Sequence, residues 1–201
     1  MVTEGAQHVR RGAEVLVTAS DLRDGIGRLA GELSDLYRSA AAPPVLIGVL
    51  KGSTLFLADL VRAMDIDVEV DFMSISSYGE SGVVRIVKDL ERDIGGRDVI
   101  VVEDIVDTGL TLNYLRKTLL QRGPASLRAV TLLDKLARRI VPVPLEHRVF
   151  EIPDVFVVGY GLDFQGLYRN SAEILAVLDL AKLANDPLML VDQLFGPTSR
   201  G

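Results

Sequence analysis

The chain reads as an α/β protein with a mainly parallel, twisted sheet flanked by helices, and three observations lead there. Apolar runs at residues 45–50 and 99–102 are continuous rather than alternating, the pattern of strands buried on both faces. Each run is followed by a turn of small residues and then by apolar residues at helical spacing, so a strand-loop-helix unit repeats. With 48% hydrophobic residues in 201, the chain can bury one substantial core, and a single domain over residues 1–201 is expected.

The elements follow in order. Residues 1–12 read as a flexible tail, ahead of a short strand over 14–18. Ser20 can cap a helix in which Leu22, Ile26, Leu29, Leu33 and Leu36 recur until Pro43-Pro44 stops the pattern. Within it, Gly25-Ile-Gly-Arg-Leu-Ala30 matches the dinucleotide fingerprint by letters, but the apolar stripe runs through it and no acid follows about twenty positions on. A helix with two glycines is the better reading. After the strand at 45–50, Lys51-Gly-Ser-Thr54 leads into a helix marked by Leu57, Leu60, Val61 and Met64. Residues 66–72 alternate as a half-exposed strand, with Ile66, Val68, Val70 and Phe72 opposite Asp67, Glu69 and Asp71. The Ser- and Gly-rich stretch 74–82 reads as a mobile loop before a strand over 83–87. Strand 99–102 and a helix to Gln121 follow, then a strand over 127–133 and a connection containing Pro142 and Pro144. Strands over 155–160 and 174–178 and a short helix near 188–194 precede a second tail, 196–201.

Composition narrows the function. A net charge of −6 argues against a nucleic-acid partner, which would need clustered Lys and Arg. With no cysteine, thiolate metal sites and cysteine nucleophiles are excluded. No amino-terminal apolar segment and no membrane-length apolar run is present, so a cytoplasmic protein without a membrane partner is expected. The two histidines, His8 and His147, have no sequence partners that suggest a triad or a zinc site and are read as solvent-facing.

The chemistry concentrates between Val99 and Leu112. Glu103 and Asp104 fall where the strand emerges at its carboxyl end, the place where open α/β sheets bind ligands. Asp107, Thr108 and Gly109 then turn into a helix with an apolar stripe at Leu112, Leu115 and Leu119. Free N–H groups at that helix start, with the hydroxyls of Thr108 and Thr111, suit a phosphate dianion. The adjacent carboxylates, which only accept, suit sugar hydroxyls or a metal.

This order of residues closely resembles the phosphoribosyl pyrophosphate (PRPP) motif of type I phosphoribosyltransferases. The resemblance extends from about Leu16 to Leu178 and is strongest to the hypoxanthine-guanine branch. It implies the type I phosphoribosyltransferase fold, with a small hood region from the N- and C-terminal segments. Leu50-Lys-Gly-Ser53 is similar to the pyrophosphate loop, often preceded by a cis peptide, so Lys51 and Gly52 would hold pyrophosphate. Ser76-Ser-Tyr-Gly79 is similar to the flexible catalytic loop, in which Ser77 and Tyr78 would close over the reacting groups. Lys135 would donate to the 6-oxo group of a purine, disfavouring adenine because a lysine cannot accept. In the segment 155–169, Phe156 would stack on the base, the Val157 backbone would read its edge, Asp163 would bind magnesium and Arg169 would contact pyrophosphate. Glu103, Asp104, Asp107, Thr108, Gly109, Leu110 and Thr111 would bind PRPP, with Glu103 and Asp104 on the Mg2+ or on the ribose hydroxyls and Asp107 as general base. Leu110 stands where some relatives carry lysine.

The implied reaction joins a 6-oxopurine, hypoxanthine or guanine, to PRPP with release of pyrophosphate. A homodimer or tetramer is implied on the same ground. The competing readings are a regulator that keeps PRPP recognition without catalysis, and a dinucleotide-dependent oxidoreductase using the Gly25 segment.

Overall fold

The computed structural model describes residues 12–78 and 83–196, so His8 and most of the two expected tails lie outside the described residues. In chain order the elements are β1 (Ala13–Val17), α1 (Ala19–Tyr37), β2 (Val45–Leu50), α2 (Thr54–Ala63), β3 (Glu69–Tyr78), β4 (Val83–Lys88), β5 (Asp98–Val106), α3 (Leu110–Leu120), β6 (Ser126–Asp134), a 3-10 turn (Leu136–Arg138), β7 (His147–Glu151), β8 (Val157–Val158), β9 (Ile174–Val177), α4 (Leu180–Asn185) and α5 (Val191–Phe195). They form two compact units, one of residues 20–154 and one of residues through 19 together with 155 onward.

The first unit holds a six-stranded sheet in the order β4-β3-β2-β5-β6-β7. All neighbours pair in parallel except β3 and β4, which form an antiparallel edge. Its central strands are the continuous apolar runs, and Val45, Ile47, Val99 and Val101 are fully buried against Leu112, Leu115 and Leu119 of α3. That stripe is the one its spacing predicts. Helix α1 buries Leu22, Ile26, Leu29 and Leu33 and starts at Ala19, one residue ahead of the expected Ser20 cap. Gly25 lies inside it, where a Cβ would come within 2.6 Å of Val149 and 3.0 Å of Phe150, so glycine lets the helix approach β7. The dinucleotide reading fails because this segment is helix interior and opens no turn.

Several expectations need correction. The strand expected over 66–72 starts at Glu69, and its burial is inverted: Val70 is 37% exposed while Asp71 is 5% exposed. Asp71 can be buried because its carboxylate accepts from the amides of Phe72, Glu91 and Arg92. The loop expected from Ser74 is strand as far as Tyr78, since Ser76 to Tyr78 pair with Arg85 to Val83 in a hairpin. Ser77 and Tyr78 therefore end a strand, and Gly79 to Gly82 lie outside the described residues. Strand β7 falls where only a Pro-rich connection was expected, and it carries His147, half-buried with Nδ1 3.2 Å from Glu32, so this histidine does not simply face solvent.

The second unit is a three-stranded antiparallel sheet, β1-β9-β8, built from the N- and C-terminal segments as the resemblance implies. Ala13, Val158, Tyr168, Leu175, Leu183 and Leu190 form its core, so α4 and α5 close one side of the sheet. The strand expected over 155–160 shortens to β8 because Gly159, Tyr160 and Gly161 all have positive φ and turn the chain back.

Candidate active site

The loops that follow β2, β5 and β6 lie at the carboxyl ends of adjacent parallel strands. After β2, the Leu50–Lys51 peptide is cis. Thr54 donates its hydroxyl to the Lys51 carbonyl at 2.7 Å and Ser53 donates to Val49 at 2.7 Å, so both hydroxyls are spent on shaping the turn. Gly52 sits against the next strand: a Cβ there would lie 1.5 Å from Asp104 Oδ2. Lys51, Gly52 and Asp104 are thus one local assembly.

β5 does not end at Val102. Glu103, Ile105 and Val106 continue the ladder opposite Thr131, Leu133 and Asp134, because β6 is long enough to pair with them. Glu103 is consequently buried in the strand, with Oε1 lacking any hydrogen-bond partner among the described residues. Burial, with the Asp104 charge adding to it, holds the Glu103 carboxyl well above the usual glutamate range. The ionised acceptor expected at this position is disfavoured by that burial. Asp104 is half-buried, and its Oδ1 accepts from the Ile105 amide at 2.8 Å.

The turn into α3 has the form the sequence suggests. Gly109 caps the helix with φ 85°. A Cβ there would also meet the Val141 carbonyl at 2.8 Å, so both backbone angle and space demand glycine. The first closing helical bond runs from Asn113 N to Gly109 O, which leaves the amides of Leu110, Thr111 and Leu112 without intrahelical partners. The Thr108 hydroxyl reaches the Leu110 amide at 3.4 Å, and the Thr108 carbonyl takes the amides of Ile140 and Val141. This second tie braces the turn from the segment after β6. Leu110, half exposed, adds no charge here.

Lys135 follows β6, its amide bonded to the Val106 carbonyl, and it is 6% exposed rather than a surface lysine. Its Nζ is 3.9 Å from Asp154 Oδ1. Arg138 joins the same group, with Nε 2.9 Å from Asp107 Oδ1 and a terminal nitrogen 3.3 Å from Asp154. Beside it, buried Asp134 takes Arg139 and Arg148. Sequence reasoning missed Arg138 and Asp154, because nothing local marks an ion pair between positions so far apart in the chain.

In the second unit, Phe156 is half-buried and meets Phe164 edge-on, with ring centroids 5.9 Å apart. Val157 is 6% exposed within β8. Asp163 and Arg169 pair with each other at 2.6 Å, and Asp163 Oδ2 also accepts from the Gly166 amide at 2.7 Å. Tyr160, Gln165 and Tyr168 have positive φ in this one segment, which concentrates backbone strain there as functional loops often do. Among the described residues, no group of three or more His, Asp or Glu side chains forms a metal cage. No helix among them is long and apolar enough to cross a membrane.

The profile of the phosphoribosyl transferase domain matches residues 16–165. A hypoxanthine-guanine phosphoribosyltransferase from Mycobacterium avium is 49% identical over 168 residues, covering 80% of this chain and 83% of its own length. A hypoxanthine phosphoribosyltransferase from Escherichia coli strain K12 is 46% identical over 162 residues, covering 78% of this chain and 90% of that protein. Among solved structures, the hypoxanthine phosphoribosyltransferase of Trypanosoma cruzi in complex with the product IMP superposes with a TM-score of 0.77 at 44% identity, over 81% of this chain and 92% of that one.

Proposed function

The chain belongs to the phosphoribosyl transferase domain family, and on that premise we propose that it is a purine salvage transferase making IMP or GMP from hypoxanthine or guanine and PRPP. The observation that carries this reading is the turn after β5, where Asp104 packs against Gly52 and, just beyond Asp107, the amides of Thr111 and Leu112 open α3 without intrahelical partners. The matched residues run through both units, which supports treating the chain as one functional domain.

Each group has a task in the displacement. The amides of Leu110, Thr111 and Leu112, with Thr108 and Thr111 hydroxyls and the Gly109 turn, seat the 5′-phosphate. Lys51, the Gly52 backbone and Arg169 bind the pyrophosphate and stabilise its charge as it leaves. Glu103 and Asp104 are assigned to the ribose hydroxyls or the metal, and Asp104 keeps the Gly52 loop in register. Asp107 accepts the ring proton as the purine nitrogen attacks C1 of the sugar. Lys135 donates to the 6-oxo group, and Phe156 and Val157 hold the base. Ser77 and Tyr78 keep water from the activated sugar.

The chemistry of the individual carboxylates suits magnesium: within one unit Glu103 has a buried oxygen without a hydrogen-bond partner among the described residues, and within the other the Asp163 carboxylate is half-exposed. Asp163, Glu103 or Asp104 would hold magnesium through a carboxylate, and the ion, when bound with substrate phosphates, would supply charge neutralisation for the pyrophosphate. Arg169 must exchange its contact with Asp163 for the pyrophosphate when substrate arrives. A cytoplasmic homodimer or tetramer belongs to the same proposal. The regulator reading has no observation in its favour.

The test is pyrophosphate release from PRPP with each of the four purine bases, with and without EDTA. Turnover with hypoxanthine or guanine, little with adenine and none in EDTA is expected. Turnover with adenine alone, or with no base, would reject the assignment.

A further inference from the structure

Resting on that reading of Asp107 and Lys135, we infer that Arg138 is a positioning residue that selects which oxygen of Asp107 takes the purine proton. Arg138 Nε lies 2.9 Å from Asp107 Oδ1. That oxygen is buried and accepts no hydrogen bond among the described residues, so charge attraction to the guanidinium holds it. The Asp107 side chain as a whole is nonetheless 38% exposed. With Oδ1 sealed, the open oxygen is Oδ2, and the proton acceptor is that atom.

Arg138 is itself anchored. Its terminal nitrogen is 3.3 Å from Asp154 Oδ1, and the same oxygen is 3.9 Å from Lys135 Nζ. Asp107, Arg138, Asp154 and Lys135 form an alternating row of charges joining the proposed base to the proposed reader of the 6-oxo group. The Arg138 amide also bonds to the Lys135 carbonyl at 3.0 Å, so the guanidinium starts from a backbone fixed beside that lysine. In the step itself, the purine nitrogen forms its bond to C1, the C1–O bond breaks with its electron pair leaving on pyrophosphate, and the ring proton passes to Oδ2. Arg138 touches no reacting atom. It keeps Asp107 from rotating so that neither oxygen points at the purine, and Asp154 keeps the base and the lysine at a fixed spacing.

The experiment is a double-mutant cycle on Asp107→Asn and Arg138→Gln, with Arg138→Lys as the conservative variant and melting temperatures recorded for all. Arg138→Gln should lower kcat with hypoxanthine about 10- to 100-fold, the size of a general-base contribution partly lost, with KM for PRPP within about twofold. Arg138→Lys should recover part of that loss. Because Arg138 acts only through Asp107, the double variant should be no slower than Asp107→Asn alone. Multiplicative losses, or parental kcat in Arg138→Gln, would overturn the positioning role while leaving the function intact. Full activity in Asp107→Asn would instead remove the base on which the role depends.

Discussion

Replacing Gly52 by alanine tests the join between the pyrophosphate loop and the acid pair. Gly52 does not adopt a positive φ, so its backbone accepts an alanine, and the obstacle is space alone. The new Cβ would sit 1.5 Å from Asp104 Oδ2, 2.6 Å from Cγ and 3.3 Å from Cβ, where ordinary contact begins at 3.4 Å. Either the Asp104 carboxylate or the loop must therefore move by nearly 2 Å. A misplacement of about 1 Å can cost roughly 100-fold in rate, so a loss of at least about 100-fold in kcat/KM for PRPP is expected, equivalent to about 2.7 kcal/mol. The assay is initial-rate pyrophosphate release at saturating hypoxanthine across PRPP concentrations, with a melting curve alongside. Gly27→Ala is the control, because that position in α1 has nothing within 4 Å of the added carbon. Parental kcat/KM in Gly52→Ala would refute the claim that this loop and Asp104 are one assembly. A collapse in melting temperature matching the activity loss would refute it equally, since the effect would then be unfolding.

Gly27→Ala should stabilise by about 0.5–1 kcal/mol through helix propensity, whereas Gly25→Ala should destabilise because Val149 and Phe150 occupy the space; thermal melting separates them. Lys135→Met should raise KM for hypoxanthine roughly 10- to 100-fold, the worth of a hydrogen bond from a charged group, while KM for PRPP stays near the parent value. Glu103→Gln is expected to reduce activity yet stabilise the metal-free protein. Folding raises the Glu103 carboxyl above its unfolded value, so the folded chain binds that proton more tightly and loses stability as pH rises through the window above the ordinary glutamate value. The variant's melting advantage should be near zero at about pH 4 and grow toward about pH 8, and a constant advantage would contradict the buried-carboxyl account.

The turn from strand to helix at the candidate site was more legible in the sequence than the sheet around it. The turn from β5 into α3 was legible because its requirements are local: a positive φ at Gly109, donors at Thr108 and Thr111, and leucines on one helix face. The continuation of β5 past Val102 was not, since a charged pair looks like a strand end and only the matching length of β6 shows otherwise. Asp71 defeated the alternation rule for a related reason, as three amide donors, two of them from residues 91 and 92, make its burial tolerable. Arg138 and Asp154 were invisible because ion pairs between distant positions leave no periodic trace. Ser77 and Tyr78 were expected in a loop, yet a serine-rich segment can extend a hairpin when its partner strand is rich in valine.

The most direct measurement is product analysis after mixing the protein with hypoxanthine, PRPP and magnesium, quantifying IMP and pyrophosphate by mass spectrometry and phosphate NMR. Equal amounts of the two, absent when either organic substrate is left out, are expected. Pyrophosphate without nucleotide, or neither product, would contradict the assignment of this site to purine phosphoribosyl transfer.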